Sequence, residues 1–135
     1  MKPRISMITL GVNDLNKSIE FYGGGLGFPR KKTEPEIAIF KLNGSWLSLY
    51  NRGLLAEDAN VSSEGKGFNG FTISHNVSSK DEVDKVFTDA ISVGAKIIKS
   101  PQKASWGGYS GYFADPDNYL WEVAYNPYSW IGPTD

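Results

Sequence analysis

The stretch ISMITLGVNDLNKSIEFY, residues 5–22, decides the fold. Every second position from Ile8 to Val12 is aliphatic and the positions between are smaller or more polar, which is typical of a strand with one buried face. Asp14 then stands where the N-cap of a helix belongs. Apolar residues recur at a mostly helical spacing up to the glycine run Gly23–Gly25, which predicts the end of that helix.

The same pattern returns 65 positions later, in FTISHNVSSKDEVDKVF, residues 71–87. Here Ser79 and Glu82 form a capping box, and Gly94 predicts the end of the second helix. Three further strands follow each helix, at about 28–32, 37–42 and 45–51 in the first copy and 96–100, 108–114 and 119–125 in the second. The sequence is therefore an internal repeat of strand-helix-strand-strand-strand.

This repeat predicts an α+β fold in which each helix covers one face of its own sheet. We expect one domain, 1–135, made of two tandem βαβββ modules that form a curled, incompletely closed mixed β-sheet barrel around a cavity, with the helices outside. The boundaries are module 1 at about 4–51, a connector at 52–68 that begins with one helical turn, module 2 at about 69–127 and a C-terminal tail at 128–135.

Composition excludes several classes of function. With 14 basic and 15 acidic residues among 135, the net charge of −1 argues against nucleic-acid binding. No run approaches ~18 consecutive apolar residues, so no membrane span is expected. The absence of cysteine excludes disulfides, thiol nucleophiles and thiolate metal sites. With no apolar signal core behind the first residues, we expect a soluble, cytoplasmic protein.

Two motifs carry a resemblance to a known family. VNDLNKSIEFY (12–22), followed by LGF (26–28), resembles the opening of the vicinal oxygen chelate superfamily, and FADPDNYLWEV (113–123) resembles its closing hairpin and last strand. That superfamily includes glyoxalase, extradiol dioxygenases, fosfomycin-modifying enzymes and bleomycin-sequestering proteins. The resemblance implies the fold described above and a homodimer.

The resemblance also implies where a divalent metal would be bound, on inward positions of the first and last strands of each module. At those positions the chain has Met7, Thr72 and Glu122, and strand 45–51 contains no histidine or carboxylate. One carboxylate does not hold a catalytic divalent ion, so no metal and no cofactor are expected. By the alternation of its strand, the only histidine, His75, falls on the side that faces the helix.

The inner faces of the two sheets then predict a site for a small organic molecule, because aromatic walls with a few polar groups suit an aromatic or amphipathic ligand. The candidate ligand-binding residues are Met7, Thr9, Trp46, Ser48, Tyr50, Thr72, Ser74, Trp106, Ser110 and Tyr112, and the candidate catalytic residue is Glu122.

Three alternatives stay open at this point. Glu122 is either a base or polar anchor for a ligand, or a satisfied carboxylate that hydrogen-bonds Thr72 or Ser74. The chain is either a binding protein or a glyoxalase-like lyase or other enzyme that uses Glu122 as base or lone metal ligand. The cavity is either open or vestigial and filled by the aromatic side chains. The apolar end of the tail, Tyr128–Ile131, predicts docking on its own domain or on a second subunit.

Overall fold

A computed structural model of the chain describes residues 1–31 and 35–135, so Lys32, the last residue of the strand predicted at 28–32, lies outside the described residues. The chain divides into two compact units, Met1–Gly67 and Phe68–Thr134, each with one four-stranded sheet. Within the described ranges, none of the helices is long and apolar enough to cross a membrane.

The first unit contains β1 (Met7–Val12), α1 (Leu15–Ile19), β2 (Arg30–Lys31), β3 (Ile37–Phe40), β4 (Trp46–Asn51) and α2 (Arg52–Asp58). Its strand order is β1-β4-β3-β2, in which β1 pairs with β4 in parallel and the other neighbours are antiparallel. The helical turn predicted at the start of the connector is α2, a seven-residue helix capped by the side chain of Asn51.

The second unit contains β5 (Ile73–Val77), α3 (Lys80–Ser92), β6 (Lys96–Lys103), β7 (Tyr109–Ala114) and β8 (Leu120–Tyr125). Its order is β5-β8-β7-β6, again with the first and last strands parallel. Both units therefore have one topology, which confirms the α+β class and the repeat of βαβββ modules.

The first helix begins and ends where the sequence predicts, but its last turn is of a different type. The Asp14 carboxylate accepts a hydrogen bond from the backbone N–H of Lys17 at 3.0 Å, so Asp14 is the N-cap. Past α1, the backbone continues as a π-helical turn, Glu20–Gly25, which ends at the last residue of the glycine run. Phe21 and Tyr22 are both buried in this turn. Burial of two aromatic side chains outweighs the weak helical preference of three glycines.

The second helix has the predicted N-cap with one change. Ser79 Oγ accepts from the backbone N–H of Glu82 at 3.2 Å. The Glu82 carboxylate, in return, accepts from the N–H of Ser78 at 2.8 Å, one residue earlier than a standard capping box. The Ser78 backbone and hydroxyl donors hold the pKa of Glu82 below its usual value.

The core of the second unit lies between α3 and the sheet. The rings of Phe87 and Phe113 meet edge to face with centroids 5.8 Å apart, and Phe113 stacks on Trp121 at 6.3 Å. Val83 and Val123 are fully buried in the same layer. Alternate residues of β7 and β8 therefore face the helix, and the residues between them face the other way.

Phe113 provides a test of this packing. Because it is 2% exposed and contacts aromatic rings on both sides, Phe113→Ala should lower the free energy of unfolding by about 3–5 kcal/mol. The matched control is Ile98→Ala at an apolar position that is 52% exposed, where we expect a loss below about 1 kcal/mol. Urea denaturation followed by circular dichroism measures both values, and equal losses would contradict the assigned core.

Candidate ligand-binding site

Three polar side chains lie in one row across the second sheet. The register pairs Ser74 on β5 with Glu122 on β8, and Glu122 with Tyr112 on β7. Directly paired residues project to the same face of a sheet, and their sequence neighbours Phe113 and Trp121 face α3. Ser74, Glu122 and Tyr112, here called the polar row, therefore lie on the face opposite the helix.

The half-buried Glu122 carboxylate has a hydroxyl on each side. Ser74 Oγ donates a hydrogen bond to Glu122 Oε2 at 3.0 Å. Burial raises the pKa of Tyr112, and the hydrogen bond to Glu122 and the negative charge of that carboxylate raise it further. The Tyr112 phenol is neutral at pH 7 even at its ordinary pKa, and the raised pKa extends this neutral state to higher pH. A carboxylate offers about four acceptor positions, so the row leaves acceptor capacity for a further donor.

Ser110 extends this face by one step. It precedes Tyr112 by two residues on β7, pairs with Ala124 on β8 and is 5% exposed. Since alternate residues of a strand share a face, Ser110 lies on the same side of the sheet as the polar row.

In the first sheet, the residues predicted for the inner face do share one face. The pairs Met7–Trp46 and Thr9–Ser48 connect β1 with β4, and Tyr50 is paired with Gly11. The opposite face carries the buried residues Leu10, Val12, Leu47 and Leu49. The Lys31 ammonium lies 5.3 Å from the centre of the Trp46 ring, a cation–π contact that places a positive charge beside the indole.

Ser48 is the first-module counterpart of Glu122. In the first sheet, the pair Thr9–Ser48 lies three residues before the pair Val12–Asn51. In the second sheet, the pair Ser74–Glu122 lies three residues before the equivalent pair Val77–Tyr125. Ser48 is fully buried, and its Oγ has no hydrogen-bond partner in the described part of the chain. The sequence indicates Ser48 as a candidate because it alternates with leucines, but nothing in its pattern predicts this unsatisfied hydroxyl.

Two other candidates, Thr72 and Trp106, lie outside the regular strands of these two faces. Thr72 is exposed in the loop before β5, which begins at Ile73. Trp106 is 46% exposed in the turn before β7, and its ring lies against Gly108. His75 pairs with Val123 on the helix side, as its alternation predicts, yet it is exposed. In the tail, Tyr128 lies against Gly107 of the same unit.

The donors present do not fit the divalent metal that the resemblance implies. The corresponding positions offer the Met7 thioether, the hydroxyls of Ser48 and Thr72, and one carboxylate, Glu122. Divalent ions in enzymes are held by several imidazole, carboxylate or thiolate donors. Over residues 1–31 and 35–135, the structure contains no group of three or more histidine, cysteine, aspartate or glutamate side chains that could hold an ion.

Comparison with known proteins identifies the family. The model of the Glyoxalase/Bleomycin resistance protein/Dioxygenase superfamily matches residues 4–123. The chain belongs to this superfamily. This confirms the resemblance inferred from residues 12–28 and 113–123, and the two four-stranded sheets agree with the folds of solved superfamily members.

Two relatives and one solved structure show how far the likeness extends. The chain is 32% identical over 126 residues to YraH of Bacillus subtilis, covering 89% of this chain and 96% of that one. It is 30% identical over 119 residues to the metallothiol transferase FosB of Lysinibacillus sphaericus, covering 87% and 79% respectively. The crystal structure of a glyoxalase-related enzyme from Fulvimarina pelagi superimposes with a TM-score of 0.87 at 33% identity, covering 96% and 93%.

The polar row predicts how Tyr112 titrates in this superfamily member. Glu122→Gln removes the negative charge, so the pKa of Tyr112 should fall toward its ordinary value but stay above it, because burial is the larger cause of the shift. In the wild type, the pKa of Tyr112 is higher in the folded than in the unfolded chain, so the neutral phenol adds to the free energy of unfolding. This contribution is complete at neutral pH and is lost as the pH rises through the raised pKa.

The ¹³Cζ shifts of the tyrosines against pH measure this change, and Tyr112→Phe identifies the resonance. The pKa of Tyr109, raised chiefly by its hydrogen bond to Asp84, should not move and serves as the internal control. An unchanged pKa of Tyr112 in Glu122→Gln would show that the two side chains do not interact.

Proposed function

We propose that the protein binds a small aromatic or amphipathic organic molecule against the polar row of the second sheet. The observation that carries this proposal is the half-buried Glu122 carboxylate, held at 3.0 Å by Ser74 and bordered by the protonated Tyr112. The ligand would present an N–H or O–H group to the remaining acceptor positions of this carboxylate. Its apolar part would lie along the Tyr112 ring.

The physical reason is the cost of burying a charge. Removing a carboxylate from water is unfavourable unless hydrogen bonds replace its hydration, and the two hydroxyls replace only part of it. They also fix the direction of the carboxylate, because the side chains come from two different strands on either side of β8. An oriented acceptor of this kind favours ligands with amine, amide or hydroxyl donors over ligands that are themselves anionic.

Membership of the superfamily supports this proposal at a coarser level, since the description of the family includes bleomycin resistance proteins beside enzymes. The poor donor set for a metal favours binding through hydrogen bonds and aromatic contacts over coordination to an ion. The fold alone does not select among these roles, and the polar row is the feature that favours binding of an organic molecule.

Glu122→Gln tests the proposal by removing the charge and turning one acceptor into a donor with little change in shape. Isothermal titration with bleomycin, and with a panel of aromatic amines and amides, should show binding to the wild type. The variant should bind about 10-fold or more weakly, since a hydrogen bond to a charged group contributes about 1.5–3 kcal/mol. Glu57→Gln, at an exposed carboxylate on α2, is the matched control and should bind like the wild type. Equal affinity of wild type and Glu122→Gln, or no binding of any compound in the panel, would contradict the proposal.

A second candidate function is proton transfer, which is favoured by the pairing of a carboxylate with a protonated phenol. Glu122 would take a proton from carbon next to a carbonyl. Once Glu122 is neutral, the single O–H of Tyr112 would turn from the carboxyl group to the enolate oxygen that forms, so no metal is needed for the step. Two of the similar proteins are enzymes by name, a metallothiol transferase and a glyoxalase-related enzyme.

Hydrogen–deuterium exchange separates this function from binding alone. In D₂O, the wild type should catalyse exchange at the carbon next to the carbonyl of hydroxyacetone, as followed by proton NMR. Glu122→Gln should abolish this exchange, and Tyr112→Phe should slow it by about 10²-fold because one hydrogen-bond donor to the enolate is lost. Exchange that continues unchanged in Glu122→Gln would exclude Glu122 as the base.

A further inference from the structure

We infer that Lys99 on β6 selects a ligand with two opposite charges, an aromatic molecule that carries an amine at one end and a carboxylate at the other. Lys99 is paired in register with Tyr112, which ends the polar row on β7. The inference rests on the function proposed above, because the amine is the group that Glu122 would bind. It adds the carboxylate, and with it a chemical class, to that ligand.

A bulge in β6 places Lys99 on the face of the polar row. Ile97 is paired with Phe113. Lys99, two residues later, is paired with Tyr112, which is only one residue away on β7. In a regular ladder Ile98 would be opposite Tyr112, and Lys99 would point to the helix side. The extra residue in β6 reverses this, since a bulge sets two residues of one strand against one residue of its partner.

Strand β7 leaves room for the irregular course of β6. A Cβ atom at Gly111 would lie 2.7 Å from the carbonyl oxygen of Lys99 and 2.8 Å from the nitrogen of Pro101, so the β6 backbone occupies the space that a side chain would need. The Gln102 side-chain amide also donates to the carbonyl of Ser100 at 3.2 Å within this segment. The backbone that carries Lys99 is therefore held by close packing and by a local hydrogen bond.

The charges of Glu122 and Lys99 are too far apart to neutralise each other. Their strands are separated by β7, so the two backbones lie roughly 10 Å apart at this level of the sheet. Among the described residues, Lys99 takes part in no ion pair. A negative and a positive charge thus stand on either side of the neutral Tyr112 phenol. A ligand with its amine toward Glu122 and its carboxylate toward Lys99 matches both charges.

The exposure of the side chains also fits this orientation. Glu122 and Tyr112 are half-buried, whereas Lys99 is exposed on β6, the edge strand of the sheet. The ligand carboxylate would therefore stay close to water, which avoids the large cost of burying it. Exposed ion pairs are weak, so we expect Lys99 to change the affinity by about fivefold.

Lys103 is the internal comparison for Lys99. It is also an exposed lysine of β6, but it is paired with Tyr109, whose phenol donates to Asp84 of α3 at 2.9 Å. Lys103 therefore lies on the helix side, whereas regular alternation would place it on the same face as Lys99, four residues earlier. Lysines that only keep an edge strand from pairing with other sheets would act alike at both positions. Recognition of the ligand requires Lys99 alone.

Titration with three related compounds tests the inference. The probes are 4-(aminomethyl)benzoate, its neutral isostere 4-(aminomethyl)benzamide, and 4-methylbenzoate, which lacks the amine. The readout is the set of ring resonances of Tyr112, assigned with Tyr112→Phe. The wild type should bind 4-(aminomethyl)benzoate about fivefold more tightly than the benzamide, and 4-methylbenzoate most weakly. The preference for the carboxylate should decrease as the salt concentration rises.

Lys99→Gln should remove the preference for the carboxylate and leave the affinity for the benzamide unchanged. Lys99→Glu should reverse the preference, because a like charge then faces the carboxylate. Lys103→Gln and Lys103→Glu are the matched controls, since they make the same changes of charge on the other face of the same strand, and both should keep the wild-type preference.

The inference is overturned if Lys99→Gln keeps the wild-type preference, or if Lys103→Gln loses as much of it as Lys99→Gln does. When Glu122→Gln still weakens binding of the benzamide in that case, the function proposed above stands and only the role of Lys99 is excluded. Failure of the wild type to bind either amine, or a Glu122→Gln variant that binds the benzamide like the wild type, would contradict both.

Discussion

The parallel pairing between the first and last strands of each module is the constraint on which the rest of the structure depends. A slip of one residue in such a pair would turn every side chain of one strand to the opposite face. In the second sheet, a slip of β8 would expose Trp121 and remove it from Phe113, so the apolar layer fixes the register. The same register brings Ser74 beside Glu122 on the other face. Hydrophobic burial on one side of the sheet thus sets the polar geometry on the other.

The two modules share one strand topology but carry different side chains at equivalent positions. At equivalent steps of the two modules, Glu122 has hydroxyl neighbours whereas Ser48 is fully buried with an unsatisfied hydroxyl. The first sheet adds Met7 and Trp46 to its face and is bordered by positive charges, while the second presents a carboxylate. The two faces therefore differ in charge and polarity, although their strands pair in the same way.

Alternation in the sequence is enough to predict which side chains share a face, because strand geometry has a period of two residues. It does not predict which residues of distant strands are opposite each other. For that reason the sequence leaves Thr72 and Ser74 as equal partners for Glu122, and the structure decides for Ser74, since β5 begins only at Ile73. The glycine run at 23–25 shows a similar limit, because it predicts where the first helix ends but not that its last turn, Glu20–Gly25, is π-helical.

The neighbours of Glu122 determine which chemistry this carboxylate can perform. In a metal site its lone pairs would point at an ion and its partners would be further ligands. Here Ser74 Oγ donates a hydrogen bond to Glu122 Oε2 at 3.0 Å, which occupies a lone pair that an ion would need, and Tyr112 is the paired residue on the other side. Burial and the Glu122 carboxylate raise the pKa of Tyr112 above its ordinary value, so a neutral phenol lies on that side of the carboxylate. The residue that ends the family motif is thus held as a hydrogen-bond acceptor, and its remaining acceptor positions are the ones that the proposed ligand would use.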